Sequence, residues 1–261
     1  MSLLTVSGLS IAFGGLRAVD DVSFSVRPGE IFSIIGPNGA GKTTLFNMIS
    51  GVYRPTSGAV ALGGETVTDL PVEQLARRGL SRTFQNLQIF FRMTAIENVM
   101  LGRHRHENQN VWKHLLAWPG TGANERATRN HAMSLLERLG LASIADQSAG
   151  SLPYGVLKRL EIARALASEP KALLLDEPAA GCNPTETAEI DKLIVEIARS
   201  GVGVCLVEHD MKLVMAISDR VHVLAQGRTL TEGAPRDVAN DPRVIEAYLG
   251  AGLPGGEPQH A

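Results

Sequence analysis

The chain has 261 residues, enough for one large domain or a domain carrying a subdomain, and at 44% apolar residues it can fill a sizeable core. A formal net charge of −2 with no long basic run argues against a nucleic-acid-binding surface, and the short cluster 103–106 reads as a solvated face. Two cysteines, Cys182 and Cys205, lack Cys-x-x-Cys spacing and fit a reduced cytosolic setting, although the sequence permits a disulfide between them; Met1–Ser7 has no signal-peptide character, and no run reaches the ~18 apolar residues that cross a bilayer.

Residues 3–13 and 22–26 alternate as strands, with Gly14-Gly15 turning between them. Ile31–Ile35 is a buried strand, and Lys42–Ser50 is a helix. Between them Gly36-Pro37-Asn38-Gly39-Ala40-Gly41-Lys42-Thr43-Thr44 fits G-x-x-x-x-G-K-[ST], a phosphate-binding loop. Its glycines let backbone N–H groups converge on phosphate oxygens, and the helix N-terminus adds a positive dipole end. Lys42 would neutralise the β- and γ-phosphates, and the Thr43 hydroxyl would sit on Mg²⁺. The bland alternative is a glycine turn between strand and helix that binds nothing.

A short strand over Ala59–Leu62, a helix from Pro71 to Arg78 and an extended piece over Leu80–Phe84 follow. From about 94 to 168 strands vanish. Thr94 and Glu97 have capping-box spacing at the head of a helix, and Asn124–Leu139 places Ala132, Leu135, Leu136 and Leu139 on one face. Residues 103–123 show weak periodicity and read as ill-defined helix and loop. Strand and helix then alternate again: strand Ala172–Leu175, helix Pro184–Arg199, strand Val202–Val207, helix 211–217, strand 220–225 and its hairpin partner 228–232. The layout is a P-loop α/β core interrupted by a helical insertion, with sites at the C-terminal ends of parallel strands. The last residues, 250–261, are rich in Gly and Pro and expected to fray.

The apolar strand Ala172–Leu175 runs into Asp176-Glu177. Asp176 suits a Mg²⁺ role, and Glu177, one residue on, points the other way and can polarise an attacking water. With these motifs in order, the chain resembles the ATPase subunit of an ABC transporter over about residues 3–250. The resemblance implies the ABC-type fold: a P-loop NTPase core with an antiparallel β subdomain and an inserted α-helical subdomain. Residues 1–93 and 169–250 would form the core with its β subdomain, 94–168 the helical signature subdomain, and 251–261 a flexible tail. It also implies roles. Phe13 would stack on adenine, Gln85 would sense Mg²⁺ and the membrane partner, and His209 would contact the γ-phosphate. Leu152-Pro153-Tyr154-Gly155-Val156 matches the signature segment but departs from the usual Leu-Ser-Gly-Gly-Gln. Pro153 has neither hydroxyl nor N–H, so Gly155 and the helix N-terminus remain as backbone donors.

The Tyr-Gly pair, Glu161-Ile162-Ala163-Arg164, Ala179 to Asn183 and Pro242 to Gly250 together resemble the ATPases of branched-chain amino acid importers. Relatives serving urea, amides or another amino acid stay open, as does a soluble ABC-type ATPase acting on nucleic acid or ribosomes. The resemblance implies ATP and Mg²⁺ as ligands and a peripheral position on the cytoplasmic face of the inner membrane. It implies membrane permeases, a second ATPase subunit and, indirectly, a periplasmic solute-binding protein as partners.

Overall fold

The structure is a computed structural model that describes residues 2–103 and 121–249. The expectations for residues 104–120 and for the tail 250–261 lie outside the described residues.

Strands β1 (Leu4–Phe13) and β2 (Leu16–Val26) pair antiparallel. With β4 (Ser57–Leu62) and β5 (Glu65–Thr66) they form a sheet of order β2-β1-β4-β5. The second strand starts at Leu16 rather than at 22, because Leu16 and Arg17 already pair with Phe13 and Ala12. Two aspartates hide it from the alternation pattern. Asp20 is buried but bonded to Arg17 and Arg228, and Asp21 takes a left-handed conformation (φ 55) that resets the pleat.

The second sheet is built from β3 (Ile31–Ile35), β6 (Leu80–Arg82), β7 (Ala172–Asp176), β8 (Gly203–Val207), β9 (Arg220–Ala225) and β10 (Arg228–Gly233), in the order β10-β9-β3-β8-β7-β6. Only the β9–β10 hairpin is antiparallel. The central strands are apolar throughout because both faces are covered. Ile31, Leu173, Leu175, Val204 and Leu206 point into one core, whereas Phe32, Leu174, Cys205 and Val207 point into another. The first core takes in the helices between β6 and β7. The second takes in α1 (Lys42–Ile49) and the antiparallel sheet. Cys182 and Cys205 are both free thiols.

Helix α2 (Val72–Arg78) begins one residue later than expected, with Pro71 as its N-cap in extended conformation. Between β6 and β7 the described chain forms α3 (Ala95–Gly102), α4 (Thr121–Arg138) and α5 (Tyr154–Ala167). Thr94 and Glu97 close the capping box. Helices α3 and α5 touch at Gly102, where an added Cβ would lie 2.0 Å from the Arg164 carbonyl oxygen. Helices α6 (Pro184–Arg199), α7 (Met211–Ile217), α8 (Pro235–Ala239) and α9 (Pro242–Leu249) complete the chain. Among the described residues no helix is long and apolar enough to cross a membrane.

Candidate active site

The loop from Gly36 to Gly41 is wedged between backbone strands. A Cβ on Gly36 would meet the Leu224 carbonyl at 2.0 Å, and one on Gly41 (φ 101) would meet the Ala18 carbonyl at 2.4 Å. Only glycine tolerates both the approach and, at Gly41, the left-handed backbone that starts α1. Residues 38–44 then line a cleft of about 530 Å³, together with Gln85, Glu177, Leu16–Ala18 and Gln226-Gly227. Gly36 and Pro37 precede this lining and are tied to it through Lys42. Lys42 Nζ donates to their carbonyls, at 2.6 and 3.1 Å. Burial lowers the Lys42 pKa, opposed by the charges of Glu177 and Asp176. The ammonium is therefore short of solvent and drawn toward acids, which suits it to an anionic ligand.

Asp176 and Glu177 part company at the end of β7. The separation comes less from strand alternation than from the backbone, because Glu177 leaves the strand in a left-handed conformation (φ 48) with its N–H on the Val207 carbonyl. Gln85 Nε2 donates to Glu177 Oε2 at 3.2 Å, and His209 Nδ1 lies 3.8 Å from Glu177 Oε1. Three predicted residues from three separate loops thus meet at the mouth of the cleft. His209 is also 3.8 Å from the buried Glu208 carboxylate. Asp176 is 2% exposed and lies behind them, paired with Arg82 Nη2 at 2.9 Å. Burial raises the Asp176 pKa, while the Arg82 hydrogen bond opposes that rise.

Arg82 carried no signal in the sequence reading. It also donates to Asn47 Oδ1 (2.7 Å) and Ser50 Oγ (2.8 Å), so it ties β6 and β7 to α1. An arginine three residues before Gln85 reads from sequence as a surface residue on a short strand. Its burial follows from its place between the end of β7 and α1, where Asp176, Asn47 and Ser50 take its donors and the Phe46 ring covers it.

Thr43, Gln85 and Asp176 are the residues predicted for Mg²⁺. Among the described residues no group of three His, Cys, Asp or Glu could hold a metal. The donors present are hard oxygens, few in number, beside a phosphate loop. That fits an ion that keeps several waters and arrives with phosphates better than one held in a protein cage. Phe13 lies apart from the cleft lining. It is 47% exposed at the end of β1, edge-on to Tyr53 with ring centroids 5.5 Å apart. Gly155 is buried in the first turn of α5, where a Cβ would lie 2.4 Å from Cδ of Glu186. It contributes nothing to this chain's own cleft.

Comparison with known proteins assigns this architecture. The ABC transporter family model matches residues 19–180, and a model described as branched-chain amino acid ATP-binding cassette transporter matches residues 228–253. The high-affinity branched-chain amino acid transport ATP-binding protein BraF of Pseudomonas aeruginosa is 47% identical over 249 residues, covering 95% of this chain and 98% of that protein. LivG of Escherichia coli, of the same description, matches at the same identity and coverage. Among solved structures, the ADP conformation of MJ1267, an ATP-binding cassette of an ABC transporter, superposes with a TM-score of 0.85 at 32% identity, covering 96% of this chain and 99% of that one. By motif, geometry and descent, the chain belongs to the ABC transporter family as one of its ATP-binding cassettes.

Proposed function

We propose that this chain is the ATP-hydrolysing motor of an importer for branched-chain amino acids. The observation that carries the reading is the meeting of Gln85, Glu177 and His209 at the mouth of the Lys42 cleft. The solute follows from the relatives' names and from the match over residues 228–253.

The loop amides and Lys42 bind the triphosphate, and Phe13 stacks on the adenine from the rim. Thr43, Gln85 and Asp176 would hold Mg²⁺, which would neutralise charge on the phosphate oxygens. Gln85 and His209 fix the Glu177 carboxylate so that it accepts a proton from water as that water attacks the γ-phosphorus and ADP leaves. His209 contacts the γ-phosphate. Positioning dominates such a reaction, so three loops brought together around one carboxylate are the chain's contribution.

The N-terminus of α5, with the exposed Tyr154 and the backbone N–H of Gly155, meets the ATP of a second cassette across the dimer. The γ-phosphate then bridges two chains, and its loss opens them. The partner is a second ATPase subunit, identical or related. The exposed rings of Phe84, Phe90 and Phe91 beside Gln85 receive a membrane permease, which places the chain peripherally on the cytoplasmic face. A periplasmic solute-binding protein acts at one remove.

The test is Glu177→Gln with ATP and Mg²⁺. Hydrolysis is expected to fall by roughly three orders of magnitude while ATP binding persists and dimers accumulate in gel filtration. Turnover at the wild-type rate removes Glu177 as the base.

A further inference from the structure

Residues 83–90, which contain Gln85, have no regular secondary structure, and most of their side chains are exposed. Their backbone polar groups therefore need partners outside any ladder. At its ends, the Thr83 N–H donates to the Leu174 carbonyl, and Phe90 bonds Asn98 through both its N–H and its carbonyl; between them, the partners lie on one face of α5. Glu161 Oε1 accepts from the Gln88 N–H at 3.1 Å, and the Phe84 N–H also acts on the same carboxylate. Lys158 Nζ donates to the Gln85 carbonyl at 3.4 Å, and Arg164 Nη1 donates to the Gln88 carbonyl. Lys158 and Glu161 are 1% and 2% exposed. Charged groups are seldom buried so completely on a helix that packs into an apolar core, and these three recur at three-residue spacing, one turn apart.

We propose that Lys158, Glu161 and Arg164 are positioning residues that tether the Gln85 segment to the signature helix and so hold Gln85 where it meets Glu177. Glu161 is the centre of the tether, because it accepts from the Gln88 N–H and sits between the two cations that hold the Gln85 and Gln88 carbonyls. The effect on catalysis rests on the Gln85 assignment made above; the tether does not.

The tether is read by amide hydrogen exchange over 83–90 in the intact chain, with ATP turnover measured in parallel. Glu161→Met fills the space and removes the acceptor. Exchange of the Phe84 and Gln88 amides is expected to rise about tenfold while the amides of α5 keep their protection. The kcat is expected to fall about tenfold with KM for ATP unchanged, the pattern of a lost transition-state interaction. Glu161→Gln keeps an acceptor and is expected to restore both within about threefold. Lys158→Met, which keeps the stem and removes the donor, provides an independent check and is expected to loosen the same segment. Wild-type exchange and kcat in Glu161→Met overturn the proposal, because a space-filling role alone predicts them. A Gln85→Ala variant with wild-type kcat instead overturns the Gln85 assignment, and the exchange result still decides the tether.

Discussion

Arg82 and Asp176 carry opposite charges into the interior, at 5% and 2% side-chain exposure. Such a pair contributes little over an apolar substitute, but breaking it leaves a bare charge. Removing the guanidinium by Arg82→Ala strands the Asp176 carboxylate and leaves Asn47 and Ser50 without their donor. A loss of ~3–5 kcal/mol in urea unfolding is expected, and a loss below about 1 kcal/mol would show that water replaces the arginine. Lys42 differs. Its two acceptors are neutral loop carbonyls, of which that of Pro37 also accepts from the Ala40 N–H, so Lys42→Ala should fold normally. It should weaken ATP binding by ~10–100-fold, the worth of a charge-assisted bond, in titration calorimetry. The contrast with Glu177→Gln, in which binding persists, separates a residue that holds the phosphates from one that acts on them.

Helix α6 illustrates what short-range chemistry settles. Asn183 accepts from the Thr185 and Glu186 amides, both at 3.0 Å, and Glu186 returns a bond to the Asn183 N–H at 2.9 Å. With Pro184 in the first turn, the start of the helix was readable from four consecutive residues. Asn183→Ala should cost about 1 kcal/mol and lower the melting midpoint by ~2–4 °C. The phosphate loop, β3, β7 and the Thr94 box were readable for the same reason, since their partners lie within a few residues. The unread features depend on residues distant in sequence. The start of β2 was masked by Asp20, whose counter-charge on Arg228 is 208 residues away. Arg82 finds Asp176 94 residues on, and Glu161 finds Gln88 73 residues back. No local pattern announces that a charged residue on a short strand or an apolar helix will be covered. The Cα side of Gly155 packs on Glu186, a contact made only when α5 and α6 meet.

The acids buried in the interior and the acids paired with arginines or a helix cap respond to pH with opposite sign. Arg243 holds the Asp241 carboxyl down at about 2, the Thr94 backbone N–H and hydroxyl hold Glu97 below the usual glutamate value, and Arg228 and Arg17 do the same for Asp20. A carboxyl whose folded pKa is depressed contributes stability above its unfolded value and loses it as the pH falls through the folded one. Glu161 and Glu208 are displaced upward by burial, against hydrogen bonds from Gln88 to the first and from Ala179 and His209 to the second. In these two the folded chain binds its proton more tightly than the unfolded chain does. Folding is therefore favoured as the pH drops toward the ordinary glutamate value of 4.5, and disfavoured as the pH climbs back through the raised folded value. The melting midpoint of the nucleotide-free chain should rise as the buffer is taken from pH 8 toward about 5, then fall below about 4. Glu208→Gln should flatten the rise, and Arg243→Ala, which returns Asp241 to an ordinary carboxyl, should flatten the acid fall. A midpoint that declines steadily from pH 8 downward would mean that the buried glutamates are ionised at no cost, with Lys158, Arg164 and His209 offsetting their burial in full.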